Sequence, residues 1–383
     1  MRLPLLLAVS LASLSLAACS GVDGGGSIRR APGSDAPGEA SAPDPKSTPA
    51  PSAAGCPATV PEAKAVSTTE TNATDVRLLL GGDVVYRDGP TVYRVSHAGA
   101  KSTIYTSPDL VHAFADDSVL VTVESPNPPD AVVKILPVGP TSAGLPPGPG
   151  GSDGQALTIS PPGWNAGGTY VFASDATSLY FMADVDNVGD TLYRVDKANP
   201  LQMTVVAQLD TASLSDPQLA GSDVWFVRDQ KRVYKVAMAA AGADPKSPLG
   251  QGDGASPPVE VFGLGYADCK LAVGGAHAFC STGKALEQRD LSGGSLVTVL
   301  DPMKSTTPGG LGAATFGSDA VLVRTLPSSP SDVLKNGIRA LKVGATPDDK
   351  LVACGREAIS SIAVDGASVV WTEPGKGVFR AAR

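Results

Sequence analysis

An all-β fold, closed as a seven-bladed β-propeller of four-stranded antiparallel blades, is what this sequence predicts over residues 56–383. Three observations carry the prediction. A turn followed by a β-branched or aromatic run recurs seven times between Leu78 and the C-terminus. Apolar and polar residues alternate at a period of two within the runs, and no stretch carries the stripe of an amphipathic helix. The last repeat stops at Arg383 one strand short, while a spare β-rich stretch, Glu62–Thr69, precedes the first.

The units begin at Leu78 (LLLGGDVVYRDGPTVYRVS), Phe114 (FADDSVLVTVESPNPPDAVVKILPV), Ala173 (ASDATSLYFMADVDNVGDTLYRVD), Ala220 (AGSDVWFVRDQKRVYKVA), Val273 (VGGAHAFCSTGKALEQRD), Phe316 (FGSDAVLVRTLPSSPSDVLKNGIRALKV) and Val364 (VDGASVVWTEPGKGVFRAAR). Each has a run before the turn, one after it, a second turn and a third run. The third run gives the clearest echo: Val92-Tyr93-Arg94-Val95, Leu192-Tyr193-Arg194-Val195, Val233-Tyr234-Lys235-Val236 and Val378-Phe379-Arg380. A fourth run follows in several units, as in STIYT, MTVVAQL, PVEVF, SLVTVL and KLVAC. A β-sandwich would explain the strands but not the repeating unit. A propeller leaves no edge open when its last blade borrows a strand from the other terminus. Glu62–Thr69 is the expected donor, which brings Cys56 near Cys354 at the end of the sixth unit's fourth run.

The N-terminus reads separately. Residues 1–18 have Arg2, then an apolar run of signal-peptide length from Leu3 to Leu16. Leu16-Ala17-Ala18-Cys19 resembles the bacterial lipobox. That resemblance implies cleavage before Cys19, acylation of its sulfur and new amine, and a lipid bilayer as first partner. Ser20, where Asp would signal inner-membrane retention, implies outer-membrane sorting in the cell envelope. Residues 19–55 are rich in Pro, Gly, Ala and Ser and almost without bulky apolar side chains, so they read as a disordered tether. Fully stretched, it reaches roughly 100 Å at about 3.1 Å per residue.

A net charge of −8 excludes a phosphate-tracking nucleic-acid binder, which needs clustered Lys and Arg. With Cys19 lipidated, Cys56, Cys269, Cys280 and Cys354 remain, an even set that suggests disulfides in an exported chain. Four cysteines allow three pairings. Cys269 and Cys280 lie at equal distance from Gly274-Gly275, a hairpin turn signal, so they are expected to face each other, leaving Cys56 with Cys354. Zinc is the weaker alternative, since there is no CxxC and His277 is the one His near a Cys.

The terminal unit, with Asp365, Gly366, Val369, Trp371, Thr372, Gly377, Val378 and Arg380, resembles repeat-rich bacterial propeller lipoproteins and exported propellers. The resemblance implies a propeller and export and no particular reaction. The signature of TolB-type propellers and the docking tryptophans of quinoprotein dehydrogenases are absent.

Motifs that carry chemistry are few. Ser152 in GGSDG fits a nucleophile-elbow expression but stands in a Pro/Gly loop. Asp184, Asp186 and Asp190 begin like a calcium loop, but Val188 and Val195 occupy ligand positions, so a turn between strands is the expected reading. His97, His112 and His277 are expected at or beside turns, and Asp116-Asp117 within one. No catalytic residue and no cofactor are assigned. The function expected is a membrane-tethered, non-catalytic binding or scaffold module for an envelope protein or glycan. The alternative is a propeller lyase or glycoside hydrolase with its site at the channel mouth.

Overall fold

A computed structural model describes residues 56–383 except 129, 138–155, 160–171, 186–188, 209–213, 229–231, 239–258, 264–269, 275, 282–285, 292–296, 301–310, 317–319, 326–336, 343–348 and 357. Its strands form seven four-stranded antiparallel sheets among the described residues. Strand β1 (Lys64–Ser67) stands apart from its neighbours in sequence. Sheet 1 is β2 (Ala73–Leu78), β3 (Val84–Asp88), β4 (Thr91–Val95) and β5 (Lys101–Thr106). Sheet 2 is β6 (Leu110–Ala115), β7 (Val119–Glu124), β8 (Val132–Pro137) and β9 (Leu157–Thr158). Sheet 3 is β10 (Phe172–Ser174), β11 (Ser178–Val185), β12 (Gly189–Asp196) and β13 (Asn199–Gln208). Sheet 4 is β14 (Leu214–Ala220), β15 (Asp223–Arg228), β16 (Arg232–Ala237) and β17 (Val259–Gly263). Sheet 5 is β18 (Lys270–Gly274), β19 (His277–Ser281), β20 (Leu286–Asp290) and β21 (Val297–Leu300). Sheet 6 is β22 (Leu311–Phe316), β23 (Ala320–Thr325), β24 (Gly337–Lys342) and β25 (Asp349–Cys354). Sheet 7 is β26 (Ser361–Val364), β27 (Ser368–Glu373) and β28 (Gly377–Ala382), completed by β1.

The second strand of a sheet is buried on both faces, because each sheet is packed between two others. In β7 every residue from Val119 to Glu124 is buried. The outer strand is half-exposed, as in β5. Apolar clusters fill the junctions between successive sheets. Val85 and Leu120 share one, Phe114 and Phe181 the next, then Tyr180 with Phe226, Trp225 with Leu271, and Ile338 with Trp371. Val370 and Val378 pack with Tyr86 and Val76, joining sheet 7 back to sheet 1. The first strands lie against one another around this circuit, among them β14 and β18, β18 and β22, and β26 and β2.

Closure uses the N-terminal strand. Lys64 pairs with Arg380, Ala65 with Phe379 and Ser67 with Val378. The donor is the core of the expected Glu62–Thr69 stretch. Gly377 lets the strands meet: its φ is +115°, and a Cβ there would lie 2.1 Å from the Ser67 carbonyl oxygen. Beside the seam, Cys56 and Cys354 form a disulfide, with Cα atoms 5.9 Å apart.

Two sequence expectations need correction. In sheet 5 Gly274 pairs with His277, which sets the ladder one residue later than the expected Gly274-Gly275 turn, and the ladder partner of Cys280 is Leu271. His112 lies within β6, opposite Val123, not beside a turn. The fourth strand of sheet 2 is β9, reached only after the Pro/Gly-rich stretch that follows β8.

Candidate functional site

Each sheet runs back and forth, so turns between its first and second strands share one end with turns between its third and fourth. The connections from sheet to sheet lie at the other end. The first end is built by a repeated device. Asp116 Oδ1 accepts from the amides of Ser118 and Val119, at 2.8 and 2.9 Å. Asp175 does the same with Thr177 and Ser178, and Asp365 with Ala367 and Ser368. This is the side-chain-to-backbone turn that Asp favours.

The basic residue of the third-strand echo follows a second rule. In sheets 1 and 4 an Asp precedes or begins the second strand, and the basic residue pairs within its own sheet: Arg94 with Asp83 at 2.6 Å and Lys235 with Asp223 at 3.0 Å. In sheets 3 and 7 the matching residue is Ser178 or Ser368, and the arginine reaches the following sheet. Arg194 donates to the Met238 carbonyl at 2.5 Å, and Arg380 to the Gly82 carbonyl at 2.6 Å. Arg380 also lies 3.4 Å from His97 Nδ1. One buried ion pair crosses between sheets: Lys197 Nζ meets Asp116 Oδ2 and the Asp175 carbonyl, each at 2.5 Å. Burial would raise the Asp116 carboxyl, but the lysine and the turn amides overcome it and hold the group below its ordinary range.

Three clusters of carboxylate, aromatic group and cation lie at or near the closure and the adjoining junction. Glu70 Oε1 accepts from Ser67 Oγ and Tyr86 OH, both at 2.6 Å, and from Lys101 Nζ. The Lys101 ammonium also sits 4.0 Å from the Tyr93 ring centre. Burial opposes ionisation of Glu70, yet these donors lower its pKa from 4.5 to about 2. Burial, then the Glu70 carboxylate, raise Tyr86 well above the ordinary phenol range. Glu124 joins Tyr105 and, at 2.6 Å, Lys134. Glu373, 1% exposed, accepts from Trp371 Nε1 at 2.8 Å and pairs with Arg356, whose guanidinium lies over Trp371 and Phe379. In these clusters cations are already satisfied by the chain's own carboxylates. Their chemistry is that of joints between sheets.

Glu287 on β20 differs. It is buried, and burial alone raises its pKa. It stands opposite Cys280 in the ladder. A carboxyl whose charged form is disfavoured by burial is the type of group that donates a proton or a hydrogen bond. Nothing in the LEQRD run distinguishes it, because its burial comes from the tertiary stacking of sheets.

The residues singled out from sequence are scattered. Cys56 and Cys354 are bonded as expected. Cys280 is disulfide-bonded, and Cys269 lies outside the described residues. Asp184 and Asp190 are ladder partners across the β11–β12 hairpin; Asp186 and the side chains of both partners lie outside the described residues. So do Cys19 and Ser152. Among the described residues no three His, Cys, Asp or Glu side chains gather as metal ligands.

Comparison with solved structures identifies the architecture. The WD40 beta propeller domain of Doa1 superposes with a TM-score of 0.54 at 11% identity, covering 84% of this chain and 97% of that one. A chain of the Mitotic Checkpoint Complex gives 0.54 at 11% identity, covering 98% and 99%. The fold is a β-propeller of four-stranded antiparallel blades. BamB from Moraxella catarrhalis is more distant, with a TM-score of 0.45 at 11% identity over 80% of this chain and 84% of that one. No family model matches the sequence, and no curated protein matches it.

Proposed function

We propose that this chain is an exported lipoprotein, held in the cell envelope by acylated Cys19, whose propeller serves as a binding or scaffold module. Each of the seven sheets is read as one blade. The observation that carries the proposal is the order of parts at the seam. The lipobox resemblance and the Pro/Gly/Ala/Ser-rich residues 19–55 run directly into Cys56 and β1, which complete the ring. A module presented off a membrane needs a multi-chain anchor, a spacer and a platform that holds its shape. Acyl chains contribute about 0.8 kcal/mol per buried CH₂, so several give a stable anchor. Ser20 supports sorting to the outer membrane. The platform's partner is an envelope protein or glycan.

Metabolic labelling with a fatty-acid probe tests the anchor. Wild type should incorporate label and Cys19→Ser should not; equal labelling of the two overturns it. Binding is tested separately by passing detergent-solubilised envelope over the immobilised propeller. A partner retained in fixed stoichiometry supports the module, and no retained protein or glycan contradicts it.

A further inference from the structure

The junction between sheets 4 and 5 holds polar atoms that the protein leaves unsatisfied. Gln218, on β14, is 1% exposed, and neither its amide nitrogen nor its amide oxygen has a hydrogen-bond partner. Trp225, on β15, is 3% exposed, and its indole Nε1 also lacks one. The two residues are direct ladder partners. Opposed residues in an antiparallel pair project to the same face of the sheet, with Cβ atoms about 5 Å apart. Trp225 fixes which face this is: it packs with Leu271, Val273 and Ala278 of sheet 5. Two donor groups and one acceptor are therefore enclosed together among aliphatic side chains.

In sheet 1 the corresponding ladder pair is Arg77 opposite Val85, with the Arg77 guanidinium over the Phe114 ring, while three other sheets have an apolar pair there. Ala173 opposes Tyr180 in sheet 3, Ala272 opposes Phe279 in sheet 5, and Ala363 opposes Val370 in sheet 7. There a small residue faces a large apolar one and no amide is buried. At Gln218 the chain has placed a side chain with both donor and acceptor capacity beneath an indole N–H. Buried polar groups in native proteins are almost always hydrogen-bonded, and where protein atoms do not serve, an ordered water does.

We infer that the sheet 4–5 junction contains a binding site for one buried water, held by Gln218 and the Trp225 indole. The water accepts from Trp225 Nε1 and donates to the Gln218 oxygen, or accepts from the Gln218 amide in its place. It lets two polar side chains sit in an apolar junction and couples β14 to β15 through a bond the ladder does not supply. Water fits the chemistry because it supplies donor and acceptor together, whereas a metal ion would have one neutral oxygen facing N–H groups.

A crystal structure at a resolution that shows ordered solvent is the direct test. A density peak within about 3.2 Å of both Trp225 Nε1 and Gln218 supports the site. A dry junction, or a larger bound molecule in its place, overturns it. Stability gives a second readout with opposite signs. If water fills the site, Gln218→Leu expels it and leaves the indole unpaired, so the melting temperature falls. Adding Trp225→Phe should then cost less than Trp225→Phe alone in wild type. If the site is dry, Gln218→Leu removes an uncompensated amide and raises the melting temperature, which contradicts the proposal.

Discussion

Glu70 shows how one buried carboxylate can make a seam depend on pH. Its pKa lies at about 2 against an ordinary 4.5. The folded state holds its charge more tightly than the unfolded chain does. Its contribution is therefore complete above about 4.5 and is lost as pH falls from there toward 2. The shift corresponds to on the order of 3 kcal/mol. Glu70→Gln should lower stability at neutral pH and flatten the fall in urea midpoint between pH 4.5 and 2; an unchanged acid limb would contradict this account. Glu287 runs the other way. Its raised pKa means that protonation favours the fold, an effect lost as pH rises through the folded-state value. Lys197 makes the same point at a junction. Removing one partner of a buried pair leaves the other charge uncompensated, at a cost of about 3 kcal/mol. Lys197→Met should destabilise by that order in chemical denaturation, and Asp116→Asn added to it should cost much less than when made alone. None of these roles was legible in sequence. Lys197 reads as a turn residue between strands, and its carboxylate partner is far away in the chain, in another sheet.

At the scale of the element, the strands were legible wherever turn chemistry and alternation agreed. The third-strand echo, with Tyr93, Tyr193, Tyr234 and Phe379, marks one position in four sheets, and ladder pairing puts all four there. Legibility failed for two physical reasons. At Gly274-Gly275-Ala276 two adjacent dipeptides can form the turn, and the ladder lies one residue later than the first would set it. At β9 a short strand returns after a long Pro/Gly-rich stretch, too little sequence to show a period. The closing strand gives a sharper test. Gly377→Ala places a methyl against the Ser67 carbonyl and forces a side chain into a conformation that L-residues avoid. It should cost at least about 2 kcal/mol and loosen Lys64–Ser67 selectively. Gly366→Ala, with open space around it, is the control and should cost far less. Denaturation midpoints for the two variants, measured in parallel, decide the matter; equal midpoints would contradict the steric argument.

For the whole molecule, the repeat, the missing strand and the two cysteines at its margins made the closed ring readable before any coordinate. No binding surface was readable, because a propeller gathers its surface from turns far apart in sequence. The described chain enters the ring at Cys56, ahead of β1, and the disulfide ties that point to Cys354 in sheet 6. Without that bond, β1 would be held to the ring by its ladder with β28. Closing a loop of 298 residues restricts the unfolded chain by about 6 kcal/mol in the chain-entropy model. The central claim is that the ring is closed by β1 and secured by this bond. Hydrogen exchange, followed by mass spectrometry on oxidised wild type and on Cys56→Ser, tests it most directly. In the oxidised protein the amides of Lys64–Ser67 should be protected along with those of β28. In Cys56→Ser they should exchange first, with the second strands of sheets 2 to 4 still protected. Lys64–Ser67 exchanging as free peptide in the oxidised protein, or identical protection in both forms, would contradict the account.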